Sequence, residues 1–111
     1  MFKHLLLGFG LSILLFSCKQ EFDPANINKE YGSKSFEHFC ISCHGENAKG
    51  SKIAPFSLFE RDVVLKKDLF AKKVKKGVPG TFMQGFENTI NDSEIEAIRL
   101  YLVSLSKSKE K

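Results

Sequence analysis

The sequence predicts an all-α domain. Apolar residues recur at helical spacing in three separate segments, no segment alternates apolar and polar residues over several positions, and clusters of glycine and proline divide the segments. The first segment, from about Asn28 to Cys40, puts Gly32, Phe36, Phe39 and Cys40 near one side. A second, from about Asp62 to Lys76, sets Val63, Leu65, Leu69, Phe70 and Val74 among six lysines. In the last, Asn91 with Glu94 three residues on resembles a capping box, after which Ile95, Ile98, Leu102 and Leu105 recur beside Tyr101. The intervening GENAKGSKIAP, GVPG and MQGF read as loops.

At 111 residues the chain has room for one domain. Its start has Lys3, an apolar run from Leu5 to Phe16, then a small residue and Cys18, which is the layout of a secretory signal peptide. The run is too short for a comfortable membrane span. Leu15, Phe16, Ser17 and Cys18 resemble the lipobox of bacterial lipoproteins, in which the cysteine is lipidated and becomes the first residue of the mature chain. The alternatives are an uncleaved N-terminal anchor helix, or cleavage elsewhere with Cys18 as a spare thiol. Each reading puts the domain outside the cytoplasm, and the lipobox reading holds it to a membrane on the periplasmic side. The expected division is a signal peptide over 1–17, the lipidated cysteine and a tether over 18–27, a folded domain over 28–106 and a charged tail over 107–111. A folded part this small is marginal on apolar burial alone and often needs a disulfide, metal or cofactor.

The net charge of +4 falls to +3 once residues 1–17, with Lys3 as their one formal charge, are removed. A nucleic-acid protein would show a larger, clustered excess with a recognisable binding motif, and an exported lipoprotein seldom meets nucleic acid, so that class is set aside.

Residues 39–50, FCISCHGENAKG, hold two cysteines three apart with a histidine directly after the second. A thioredoxin-like CxxC needs a strand before it and a βαβ setting, which this chain lacks. A structural zinc site needs about four ligands, and with Cys18 consumed only His38 joins Cys40, Cys43 and His44. A disulfide across so short a step closes too small a loop to stabilise much. The remaining reading is c-type haem attachment, for which CxxCH is the signature. Each thiol adds to one porphyrin vinyl group, and the next residue presents an imidazole to the iron from the same side.

Met83, in VPGTFMQGF, is the one methionine left when Met1 is removed with the signal peptide, and it lies among Gly80, Gly85, Phe82 and Phe86. A thioether in a glycine-rich loop, with phenylalanines to exclude water, suits the sixth position of haem iron. The alternative is a gap-filling core methionine. His38, two residues before Cys40, reads as a solvated surface histidine.

From about Glu30 to Leu105 the chain is similar to a small class I cytochrome c of the bacterial monohaem type. Gly32 and Phe36 on the first helix and Ile98 and Tyr101 on the last match the residue types through which that family packs its terminal helices. The resemblance implies the cytochrome c fold, one covalent haem c, and a carbonyl at Pro55 that accepts the proton on the far nitrogen of His44. Read without it, Pro55 is a turn residue. Gln84 stands where many members have proline after the methionine, which leaves room for a looser ligand loop.

Haem ligated by histidine and methionine has no vacant position and changes only its charge, so the expected function is single-electron transfer and not enzyme catalysis, with no small-molecule substrate. The partners would be redox proteins such as a membrane reductase or oxidase. The lysines at 66, 67, 72, 73, 75 and 76 would steer toward acidic patches, or form an ordinary solvated helix face. Two further readings remain open: a five-coordinate haem protein that binds a gas or has peroxidase activity, and a fixed haem subunit of a larger oxidoreductase.

Overall fold

The computed structural model describes residues 24–108, so Cys18 and the expected signal peptide lie outside the described residues. The described residues form helices α1 (Pro24–Phe39), α2 (Ile41–His44), α3 (Lys67–Lys76) and α4 (Asp92–Ser108), joined by three short 3-10 turns and loops, with no strand among them. The all-α reading therefore holds. The described part of α1 begins at Pro24, inside the segment expected to be a tether. At the other end α4 runs into the expected tail.

The frame is the crossing of α1 and α4. A Cβ built on Gly32 would lie 1.9 Å from the Ala97 carbonyl oxygen, so the two backbones meet at a distance only glycine permits. One turn on, the Phe36 ring lies 5.7 Å from that of Tyr101, and Phe36 and Ile98 are buried. The residue types expected at this crossing are thus in contact. Asn91 caps α4 by accepting the Glu94 N–H at 2.8 Å. The Glu94 carboxylate does not fold back to complete a capping box; it crosses to α1, where the Ser35 and Tyr31 hydroxyls donate to it at 2.8 and 3.2 Å.

The segment 62–76 departs from the continuous helix its pattern predicts. Asp62–Leu65 is a 3-10 turn, Lys66 is extended, and α3 starts at Lys67. The reason lies in α4: Arg99, held by Glu96 at 2.8 Å, donates to the Val64 carbonyl at 3.0 Å. The Val63–Val64 pair adds a β-branched step that helices tolerate less well. Val64, Phe70 and Val74 then turn inward, and Leu65, expected among the apolar set, is 68% exposed. One core results, in which Phe36, Phe59, Val64, Phe70, Val74, Ile90, Ile95, Ile98 and Leu102 pack together. Phe39, Cys40, Met83 and Phe86 lie against it, which places the attachment motif and the methionine loop on the same core.

Candidate functional site

Cys40 closes the last turn of α1, its N–H donating to the Phe36 carbonyl at 2.8 Å. Its own carbonyl accepts from Cys43 N–H at 3.2 Å and from His44 N–H at 2.9 Å, so the two thiols and the imidazole spring from a single helical turn. The following loop folds back on that turn. Gly50 N–H donates to the His44 carbonyl at 2.7 Å and the Ser51 hydroxyl to the Cys43 carbonyl at 2.5 Å, satisfying carbonyls that a helix end leaves free.

Both cysteines are free thiols. Burial, followed by the neighbouring Cys43, pushes the Cys40 thiol up to about 12. A redox-active CxxC requires the opposite shift, a thiolate stabilised near neutral pH, so the thioredoxin-like reading fails on chemistry as well as on fold. Among the described residues no group of three or more His, Cys, Asp or Glu is placed to hold a metal ion. His38 is exposed, its ring edge-on to Phe39 at 4.5 Å, as expected of a surface histidine.

The His44 imidazole is partly buried and burial lowers its pKa, which favours the neutral ring that ligates metals. Its Nδ1 is buried without a hydrogen-bond partner. The bond expected from the Pro55 carbonyl is therefore not made here. The turn is built around Ala54 instead, whose carbonyl accepts from Ser51 and Phe56 N–H at 3.0 and 2.8 Å while Pro55 stays exposed. Phe56 presses its ring edge-on to His44 at 6.0 Å, and the Arg61 guanidinium lies 4.7 Å from the centre of the Phe56 ring. Two free thiols and an imidazole uncommitted to the protein, on one turn, fit covalent haem and nitrogen ligation.

Met83 sits in a loop returned to the end of α3. Val78 N–H donates to the Met83 carbonyl at 3.1 Å, and Met83 N–H donates to Thr81 Oγ1 at 3.2 Å. Gly77, with φ of 73°, lets the chain reverse where a Cβ would meet the Met83 carbonyl oxygen at 2.6 Å. The exit is tied by Phe86 N–H to the Val74 carbonyl at 2.9 Å and by Glu87 N–H to the Lys75 carbonyl at 3.2 Å. The loop is thus pinned on both sides despite Gln84. Phe86 meets Phe39 edge-on at 6.2 Å, joining the methionine loop to the residue before Cys40. Phe82, expected to shield the site, is 89% exposed.

Two of the six lysines are engaged within the chain: Lys75 pairs with Asp92 at 2.5 Å and Lys76 with Glu87 at 2.8 Å. Sequence reasoning did not single out Ser51, Phe56, Arg61 or Thr81. Phe56, next to a proline in a loop otherwise poor in aromatics, carried a faint signal, and the others carried none.

No helix of the described residues is long and apolar enough to cross a membrane. In comparisons with known proteins, the model of the family described as "Cytochrome C oxidase, cbb3-type, subunit III" matches residues 28–102. Proteins named "Alcohol dehydrogenase (quinone), dehydrogenase subunit" are also similar. That of Komagataeibacter europaeus is 31% identical over 84 residues, 75% of this chain and 11% of its own length. That of Acetobacter aceti is 32% identical over 73 residues, 65% of this chain and 10% of its own. The chain thus spans about a tenth of the length of these relatives. No solved structure matches. With the attachment turn and the methionine loop both inside the matched span, the chain belongs to the cbb3-type cytochrome c oxidase subunit III family and is a c-type cytochrome domain, a haem module of electron transfer.

Proposed function

We propose that the protein is a membrane-anchored carrier of single electrons, its one haem c attached through Cys40 and Cys43 and ligated by His44 and Met83. The observation that carries this reading is the Phe39–Phe86 contact, which seats the only methionine loop among the described residues against the attachment turn. When bound, haem c supplies a one-electron ferric/ferrous couple. Cys40 and Cys43 would fix its position, and neutral His44 would supply a nitrogen ligand. The Met83 thioether, soft and uncharged, would favour the ferrous state, and the half-buried Phe39 and Phe86 would push the same way by keeping water out. Were His44 and Met83 both to ligate the iron, they would leave no position for oxygen or peroxide.

Cys18, by its lipobox-like setting, would keep the domain at the membrane on the periplasmic side and raise its local concentration near membrane partners. The names of the family and of the relatives support an oxidoreductase as partner, met either in passing or as a complex in which this chain is a haem subunit.

The test is the absorption spectrum of the ferric protein, produced with haem-attachment machinery. The weak far-red band of methionine sulfur on ferric haem is expected, and Met83→Ala abolishes it. A high-spin parent spectrum without that band would remove Met83 as ligand and favour the gas-binding or peroxidase reading.

A further inference from the structure

We propose that Thr81 is the positioning residue that holds Met83 in place for ligation. The proposal rests on the reading that Met83 is the sixth ligand. Thr81 Oγ1 donates to the Val78 carbonyl at 2.7 Å and accepts the Met83 N–H at 3.2 Å. Thr81 N–H donates to the same Val78 carbonyl at 3.2 Å, and Val78 N–H donates to the Met83 carbonyl at 3.1 Å. Residues 78 and 83 are thereby joined on both sides, and one hydroxyl closes the ring.

Apolar packing cannot do this work at the loop tip. Pro79, Gly80, Thr81 and Phe82 are all exposed, and no atom lies within 4 Å of a Cβ built on Gly80. Beyond Met83 the chain is fixed by backbone bonds to Val74 and Lys75 and by the exposed Lys76–Glu87 pair. Before Met83 the Val78 N–H bond and the Thr81 hydroxyl are the brace. A hydroxyl that holds the backbone of a ligand residue lowers the freedom that ligation must remove, so its loss weakens the bond to the metal without touching the sulfur.

The experiment titrates the ferric holoprotein with imidazole, a competing ligand, and follows the far-red band as Met83 is displaced. Thr81→Val keeps the shape and removes the hydroxyl; it is expected to lower the imidazole concentration at half-displacement about tenfold, the size of one to two lost hydrogen bonds. Thr81→Ser restores the parent value within about twofold. Lys76→Gln, which breaks only an exposed ion pair, changes it by less than about threefold. Thr81 is exposed and outside the core, so these variants keep the fold. A band present in the parent with Thr81→Val titrating like the parent overturns the proposal alone. A parent without the band overturns Met83 ligation and the proposal with it.

Discussion

Gly32→Ala is expected to cost about 3 kcal/mol or more, a large fraction of the roughly 5–15 kcal/mol that holds a small domain together. The added methyl would sit 1.9 Å from the Ala97 carbonyl oxygen and 2.4 Å from its carbonyl carbon. Both are backbone atoms of a helix, so no side chain can swing aside, and the only relief is to part α1 from α4. Parting them also loosens Phe36 from Tyr101 and pulls Ser35 away from Glu94. Since α1 ends at the attachment turn, the effect reaches the site. Denaturant unfolding of the holoprotein checks this: the midpoint falls steeply in Gly32→Ala, and an unfolding free energy within about 0.5 kcal/mol of the parent would mean the crossing is not tight.

Replacing Cys40 and Cys43 together by alanine is expected to abolish covalent attachment, so that acidified organic solvent extracts haem from the variant and not from the parent. The loss is thermodynamic as well as chemical. Attachment holds the group at an effective concentration on the order of millimolar. Loose haem at about micromolar concentration would lack that factor of roughly a thousand, or about 4 kcal/mol. For a domain this short, such a loss is expected to appear as partial unfolding in far-ultraviolet circular dichroism. Retained colour after extraction would show that the two thiols are not the attachment points.

What the sequence revealed and what it hid divide along the range of the interactions. The cap at Asn91, the pairing of Gly32 and Phe36 with Ile98 and Tyr101, and the grouping of Cys40, Cys43 and His44 on one turn are local patterns or short motifs, and each is legible as residues read in order. The break at Lys66 was not legible, because Arg99, more than thirty positions away, takes the carbonyl that a continuous helix would have used. The same holds for Ser51, whose hydroxyl meets the Cys43 carbonyl only once the loop folds back, and for Phe56, which reaches His44 through that fold. Pro55 shows the limit of motif reasoning. The proline lies in the expected loop, yet the turn closes on the Ala54 carbonyl and leaves the buried His44 Nδ1 without a partner. Phe82 shows it too, since an aromatic beside a ligand residue invites a shielding role and this one faces outward. The lysine-rich segment was legible as an exposed face, but its division into Lys75 and Lys76, bound to Asp92 and Glu87, and the remainder depends on where α4 and the methionine loop come to rest.

In the proposed site His44 and Met83 would close both faces of the haem, so that the protein would pass electrons and leave no room for an external ligand. The most direct measurement adds carbon monoxide to the reduced holoprotein and records the visible spectrum. An unchanged ferrous spectrum is expected, with Met83 held in place. Rapid formation of a carbon monoxide adduct at neutral pH would contradict it, leaving an open sixth position and a protein whose chemistry is ligand binding.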